Sequence, residues 1–152
     1  MASLERFVEA QDACYARVRE ELAAGRKRSH WMWFVFPQIA GLGRSAMARR
    51  FALGGPHEAG LYLMHPLLAS RLEECTELML GWSGKRSAEE MLGALDALKL
   101  RSSMTLFTRA AAPPSRARDA CGQVLLAFFA GQPDKATLEL LAAHDVNPEG
   151  PV

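Results

Sequence analysis

The sequence predicts an all-α fold: one multi-helix domain over 1–144, a buried aromatic segment at 31–36 and a loose tail at 145–152. Three observations predict it. Apolar residues return every three or four positions along most of the chain. Glycines and prolines cut those stretches into helix-sized lengths. Only one apolar run, Trp31–Phe36, is ambiguous between strand and helix, and no second alternating run exists to pair with it. A lone strand would leave its backbone groups unsatisfied, so the run is a buried helical or irregular segment.

The elements follow in order. From Ser3, a candidate N-cap, the residues Leu4, Phe7, Val8, Gln11, Tyr15, Val18 and Leu22 lie on one face of a first helix that stops at Gly25. Basic residues gather at that stop, where a helix C-terminus favours them. Pro37 and the glycines at 41 and 43 break the chain after the aromatic run. "RSAMARRFAL" is a short helix, ended by Gly54, Gly55 and Pro56. Two helices meet at His65–Pro66, with the proline in the first turn of the second. "WSGKR" is a turn, and Ser87 with Glu90 has capping-box spacing. A short helix and a longer one fill Ala88–Ala112, with Leu100, Met104 and Phe107 on one face of the longer. Helices then follow in "SRARDACGQVLLAFFAG" and "PDKATLELLAAH".

Composition narrows the function classes. A chain of 152 residues suits one domain and can bury a core without disulfides or metals. A net charge of +1 gives the whole molecule no bias towards nucleic acid or membrane. Cys14, Cys75 and Cys121 are far apart and fall in apolar helical patterns, so they read as small buried hydrophobes. No HxxxH or HxH spacing, Walker sequence or GxSxG motif appears, so the residues imply neither metal nor cofactor. With no apolar leader and no run of the ~20 residues a membrane helix needs, the chain reads as cytoplasmic.

"LERFVEAQD", "GRKRSHWMWFVFPQIAGLGRS", "YLMHPLLASRL", "DALKLRSSMTLF" and "TLELL" resemble, in order, the bacterial family catalogued as domain of unknown function 1810. The resemblance runs from Leu4 to Leu141. It implies a compact all-α domain and brings no activity or site residue. Some members carry the label calpastatin, but calpastatin-type inhibition relies on disordered repeats, and this chain has neither repeats nor a disordered composition.

The candidate site comes from charge asymmetry. Between Arg26 and His57 stand six Lys or Arg residues and no acid. If the "FPQIAGLG" connection folds Arg26–His30 back towards Arg44–Arg50, a concentrated positive patch results; otherwise these are solvated surface charges. Arg26, Arg28 and Arg44 would take phosphate or carboxylate, since the guanidinium fork donates two parallel hydrogen bonds. His30 or Trp31 would stack on or hydrogen-bond a ring, although a tryptophan here can equally be a core anchor. Gly43, Arg44 and Ser45 resemble a glycine loop opening a helix, or a plain turn with an N-cap. Asp96 and Lys99 are three apart on one helix face, and Ser102 and Ser103 are weak helix formers kept inside an apolar helix. His65 with Glu73 and Glu74 offers acid–base groups less persuasively than a helix start with solvent-facing acids.

The expected ligand is therefore a phosphorylated, nucleotide-like small molecule. The alternative is an interaction module docking an acidic protein. A weaker alternative is a hydrolase of N-glycosidic or ADP-ribose-type bonds, by analogy with small α-rich hydrolases. Turnover itself is left open.

Overall fold

The computed structural model describes residues 3–146, with side chains to His144. Ten helices are described: α1 (Glu5–Asp12), α2 (Tyr15–Ala23), α3 (Met32–Val35), α4 (Ala46–Arg50), α5 (Pro56–Met64), α6 (Pro66–Leu80), α7 (Ala88–Leu92), α8 (Ala94–Thr108), α9 (Arg116–Phe129) and α10 (Lys135–Val146). No strand forms among the described residues. The one β-type contact joins Ile39 to Leu53, with Leu53 N–H donating to Gln38 O and Ala40 N–H to Leu53 O. The expected tail at 145–152 lies almost wholly outside the described residues, and α10 continues through Val146.

The longer helix of the Ala88–Ala112 segment, α8, is the central element. It packs on α5, α7, α9 and α10, and every residue from Ser102 to Phe107 is buried. A helix buried on all sides carries no charged side chain there, and from Ser102 to Phe107 this one has only apolar residues and the small hydroxyls of Ser102, Ser103 and Thr105. Around it an aromatic chain holds the N-terminal half of the protein. Tyr62 lies 5.1 Å from Phe107 and 5.3 Å from Phe7, Phe7 lies 5.7 Å from Phe51, and Phe51 lies 5.2 Å from Phe34. Such tilted and edge-on pairs stabilise by about 0.5–1.5 kcal/mol beyond the area they bury.

The helix ends follow their local chemistry. Ser45, Ser87 and Ser115 cap α4, α7 and α9, and Ser87 with Glu90 completes the capping box. His65 Nδ1 accepts the Leu68 N–H, so this histidine starts α6. Burial pushes the thiols of Cys75 and Cys121 up, that of Cys75 to about 12.

The first helix differs from expectation. It is two helices, broken at Ala13–Cys14 with no glycine or proline there. Contacts on either side of the break account for it. Before it, Gln11 donates to Phe34 O and Tyr62 Oη, and Arg71 donates to Gln11 and Asp12. After it, Tyr15 donates to Glu74 Oε1 at 2.5 Å. Both halves are thereby fastened to α6, and the chain yields between them.

α2 ends in a Schellman motif. Gly25 N–H donates to Leu22 O and Arg26 N–H to Glu21 O, with Gly25 left-handed at φ 70°. A Cβ at Gly25 would also stand 2.6 Å from the Trp82 ring. Gly25→Ala therefore combines backbone strain with a clash, and a loss of about 2 kcal/mol or more is expected from urea unfolding midpoints.

Candidate functional site

The basic segment after α2 is a fixed loop, and Glu21 fixes it. Glu21 stands on the last turn of α2, where the Schellman reversal brings the chain back over its side chain. Oε1 accepts the backbone N–H groups of Arg28 (2.8 Å) and Ser29 (3.0 Å) and the indole N–H of Trp31 (2.9 Å). Oε2 accepts the Ser29 hydroxyl at 2.6 Å. Burial works to raise the carboxyl pKa, but the four hydrogen bonds outweigh it and hold the group down at about 2. A permanent anion thus sits under the loop, leaving Arg26, Arg28 and His30 exposed above it.

A second tether lies beside the first. Lys27 N–H donates to Met91 O at 2.7 Å, and its ammonium, on a side chain only 8% exposed, stands 2.9 Å from Asp96 Oδ2. Lys99 approaches the other oxygen, Oδ1, at 3.3 Å and stays 31% exposed. Each ammonium also lies over an indole: Lys27 is 5.1 Å from the Trp31 ring centroid, and Lys99 is 5.1 Å from that of Trp33. Two cations share one carboxylate, so the cluster carries one surplus positive charge, and its open end is Lys99 over the half-buried Trp33.

The structure joins Arg26–Trp31 to Asp96 and Lys99. It puts Trp31 in the core: the ring is 1% exposed and its N–H is spent on Glu21, so it has no open face for a ligand. Trp33 is the ring that reaches the surface. Ser102 Oγ lies 2.8 Å from Thr137 Oγ1, which donates to Asp134 Oδ2, so this hydroxyl fastens the start of α10. Ser103 Oγ is fully buried with no partner among the described residues.

Gly43–Ser45 rest on other supports. Ser45 Oγ accepts the Ala48 N–H as the cap of α4, and Gly43 packs against Ala48. Gly41 packs on Leu140 of α10, and Arg6 of α1 donates to Arg50 O and Ala52 O. Arg26–His30 stand on α2, α7 and α8 instead. Among the described residues no hydrogen bond or ion pair links the two groups, and Arg26, Arg28 and Arg44 form no ion pair at all.

Sequence reasoning missed Glu21; it counted Lys27 among the patch cations and set Trp33 beside Trp31 without showing that Lys27 is tethered to Asp96 or that Trp33 is the ring at the surface. Glu21 did leave a signal, as an acid between Val18 and Leu22 on the buried face of its helix.

The family model described as "Protein of unknown function (DUF1810)" matches residues 1–141. The chain belongs to the DUF1810 family. This DUF1810 chain is also similar to the crystal structure of a conserved hypothetical protein from Mycobacterium tuberculosis. The two are 50% identical with a TM-score of 0.84, over 91% of this chain and 96% of that one. No curated protein matches the DUF1810 chain. Among its described residues no helix is long and apolar enough to cross a membrane.

Two outcomes test the site's construction. The Glu21 carboxyl titrates lower in the folded protein, about 2, than its ordinary 4.5. Its stabilisation is therefore complete above about pH 5 and is lost as pH falls towards 2. Glu21→Gln should cost about 2–3 kcal/mol at pH 7 and flatten the acid limb of a stability–pH profile measured by urea unfolding. Ser103→Ala removes an unbonded hydroxyl, so its unfolding free energy from urea titration should match or exceed wild type, by up to ~1 kcal/mol.

Proposed function

We propose that this DUF1810 protein binds a phosphorylated, nucleotide-like small molecule in the cytoplasm. Arg26, Arg28 and His30 would meet the anionic groups, with Lys99 behind them and Trp33 offering a flat apolar edge. One observation carries the reading. The two arginines are exposed on a rigidly held loop, lack acidic partners among the described residues, and neighbour a lysine pair with one carboxylate between them. Preorganised cations of this kind favour a ligand anion because little ordering remains to be done on binding. Arg44, on its separate support, contributes less to this reading than its place in the sequence suggests.

A second reading, an acidic protein partner, has its own support. Leu95 and Leu98 of α8 are 75% and 59% exposed, and Leu95 is one helical turn from Lys99. An apolar patch beside a surplus of positive charge suits a partner that is both acidic and apolar.

A thermal-shift series with ADP-ribose, NAD, mononucleotides, sugar phosphates and pyrophosphate separates the two. A compound present at about 100 times its dissociation constant should stabilise by ~2.7 kcal/mol, roughly 5–10 °C. Arg28→Ala combined with Lys99→Ala should abolish that shift without lowering the unliganded midpoint by more than a degree or two. If no compound moves the midpoint, or the double variant responds like wild type, the small-molecule reading fails.

A further inference from the structure

A second basic surface lies on the turn between α6 and α7, apart from the residues used above. Residues 84–87 and Glu90 face Ala127 and Phe128 of α9 across an open cleft of about 350 Å³. The turn is tightly wound, with the backbone N–H groups of Lys85 and Arg86 both donating to the Trp82 carbonyl, at 2.8 and 3.0 Å. Lys85 is exposed and Arg86 half-buried. Arg86 Nη2 donates to the Glu90 carbonyl at 3.1 Å, while its Nε–H is buried with no acceptor among the described residues.

That orphaned donor is informative. Guanidinium does not shed its proton in proteins, so the missing acceptor cannot be avoided by neutralisation. The acid best placed to serve it is already committed: Glu90 accepts the Ser87 N–H at 2.9 Å in the capping box and forms no ion pair with Lys85 or Arg86. Two cations and the single carboxylate of Glu90 therefore line one side of the cleft, a surplus of one positive charge, and Phe128, half-buried, lines the other. The volume suits a small ligand. One hydrogen bond, to the Glu90 carbonyl, is the only one the guanidinium donates among the described residues, so most of its donors remain uncommitted.

We propose that this cleft binds an oxyanion carried on a flat apolar body, with Arg86 and Lys85 on the oxyanion and Phe128 against the body. The guanidinium fork matches phosphate and carboxylate geometry, and an apolar wall with a few convergent polar groups is the usual make-up of a small-ligand site.

Phenyl phosphate and inorganic phosphate, titrated separately into the full chain and followed by amide NMR shifts, test it. Phenyl phosphate should move the resonances of 84–90 and 127–128 and bind about tenfold tighter than inorganic phosphate. Arg86→Gln should weaken phenyl phosphate by about tenfold or more, and Phe128→Ala should bring it down to the level of inorganic phosphate. Lys85→Gln alters an exposed, unpaired side chain, so it keeps the fold and should still weaken binding several-fold. The proposal is overturned if phenyl phosphate leaves 84–90 unmoved, if it moves only 26–30 and Lys99, or if Lys85→Gln binds like wild type.

Discussion

The carboxylate of Glu21 is the constraint on which the basic surface depends. Arginine-rich loops ordinarily repel themselves into mobile conformations, because like charges drive the chain apart. Here one buried anion draws two backbone N–H groups, a hydroxyl and an indole N–H onto itself. It neutralises part of the loop's charge from beneath and leaves the solvent face cationic. The same contact seats Trp31 in the core, so the loop's position and the packing of the N-terminal half are a single event. Charge-assisted hydrogen bonds are about twice as strong as neutral ones, which lets one side chain do both.

Lys27 and Lys99 extend that logic sideways. A lysine buried without a counter-charge would lose its proton or expel the segment carrying it. Asp96 answers Lys27, but its second oxygen is left for Lys99, and both ammonium groups lie over indoles. The indole faces reduce the cost of holding two cations near one acid without cancelling their charge. Surplus positive potential at this end of α8 is thus built in.

The fold was largely legible because its signals are local. Helical spacing, the Pro66 start, the Ser87–Glu90 box and the stop near Gly131 need only neighbours in sequence. The break at Ala13–Cys14 was not legible, because it is made by Arg71 and Glu74, about sixty residues away. The site divides the same way. The acid-free window from Arg26 to His57 showed where the cations gather. It could not show that Arg26–His30 and Gly43–Ser45 stand on different helices, nor which of two neighbouring tryptophans faces inward. Ser102 and Ser103 illustrate the limit further. The sequence marks both as polar residues in an apolar helix, yet only the packing of α10 makes one a fastener and leaves the other unbonded.

Trp82 connects the two cationic surfaces physically. Its indole N–H donates to Leu22 O at 3.1 Å, and its ring fills the space that only a glycine at 25 leaves open. Its own carbonyl takes the N–H groups of Lys85 and Arg86. The reversal that carries Arg26 and Arg28 therefore rests on the side chain of the same residue whose backbone carbonyl anchors the turn that carries Lys85 and Arg86. The Trp82 ring packs directly on Gly25, so the two turns share one packed residue while their charged groups remain chemically separate.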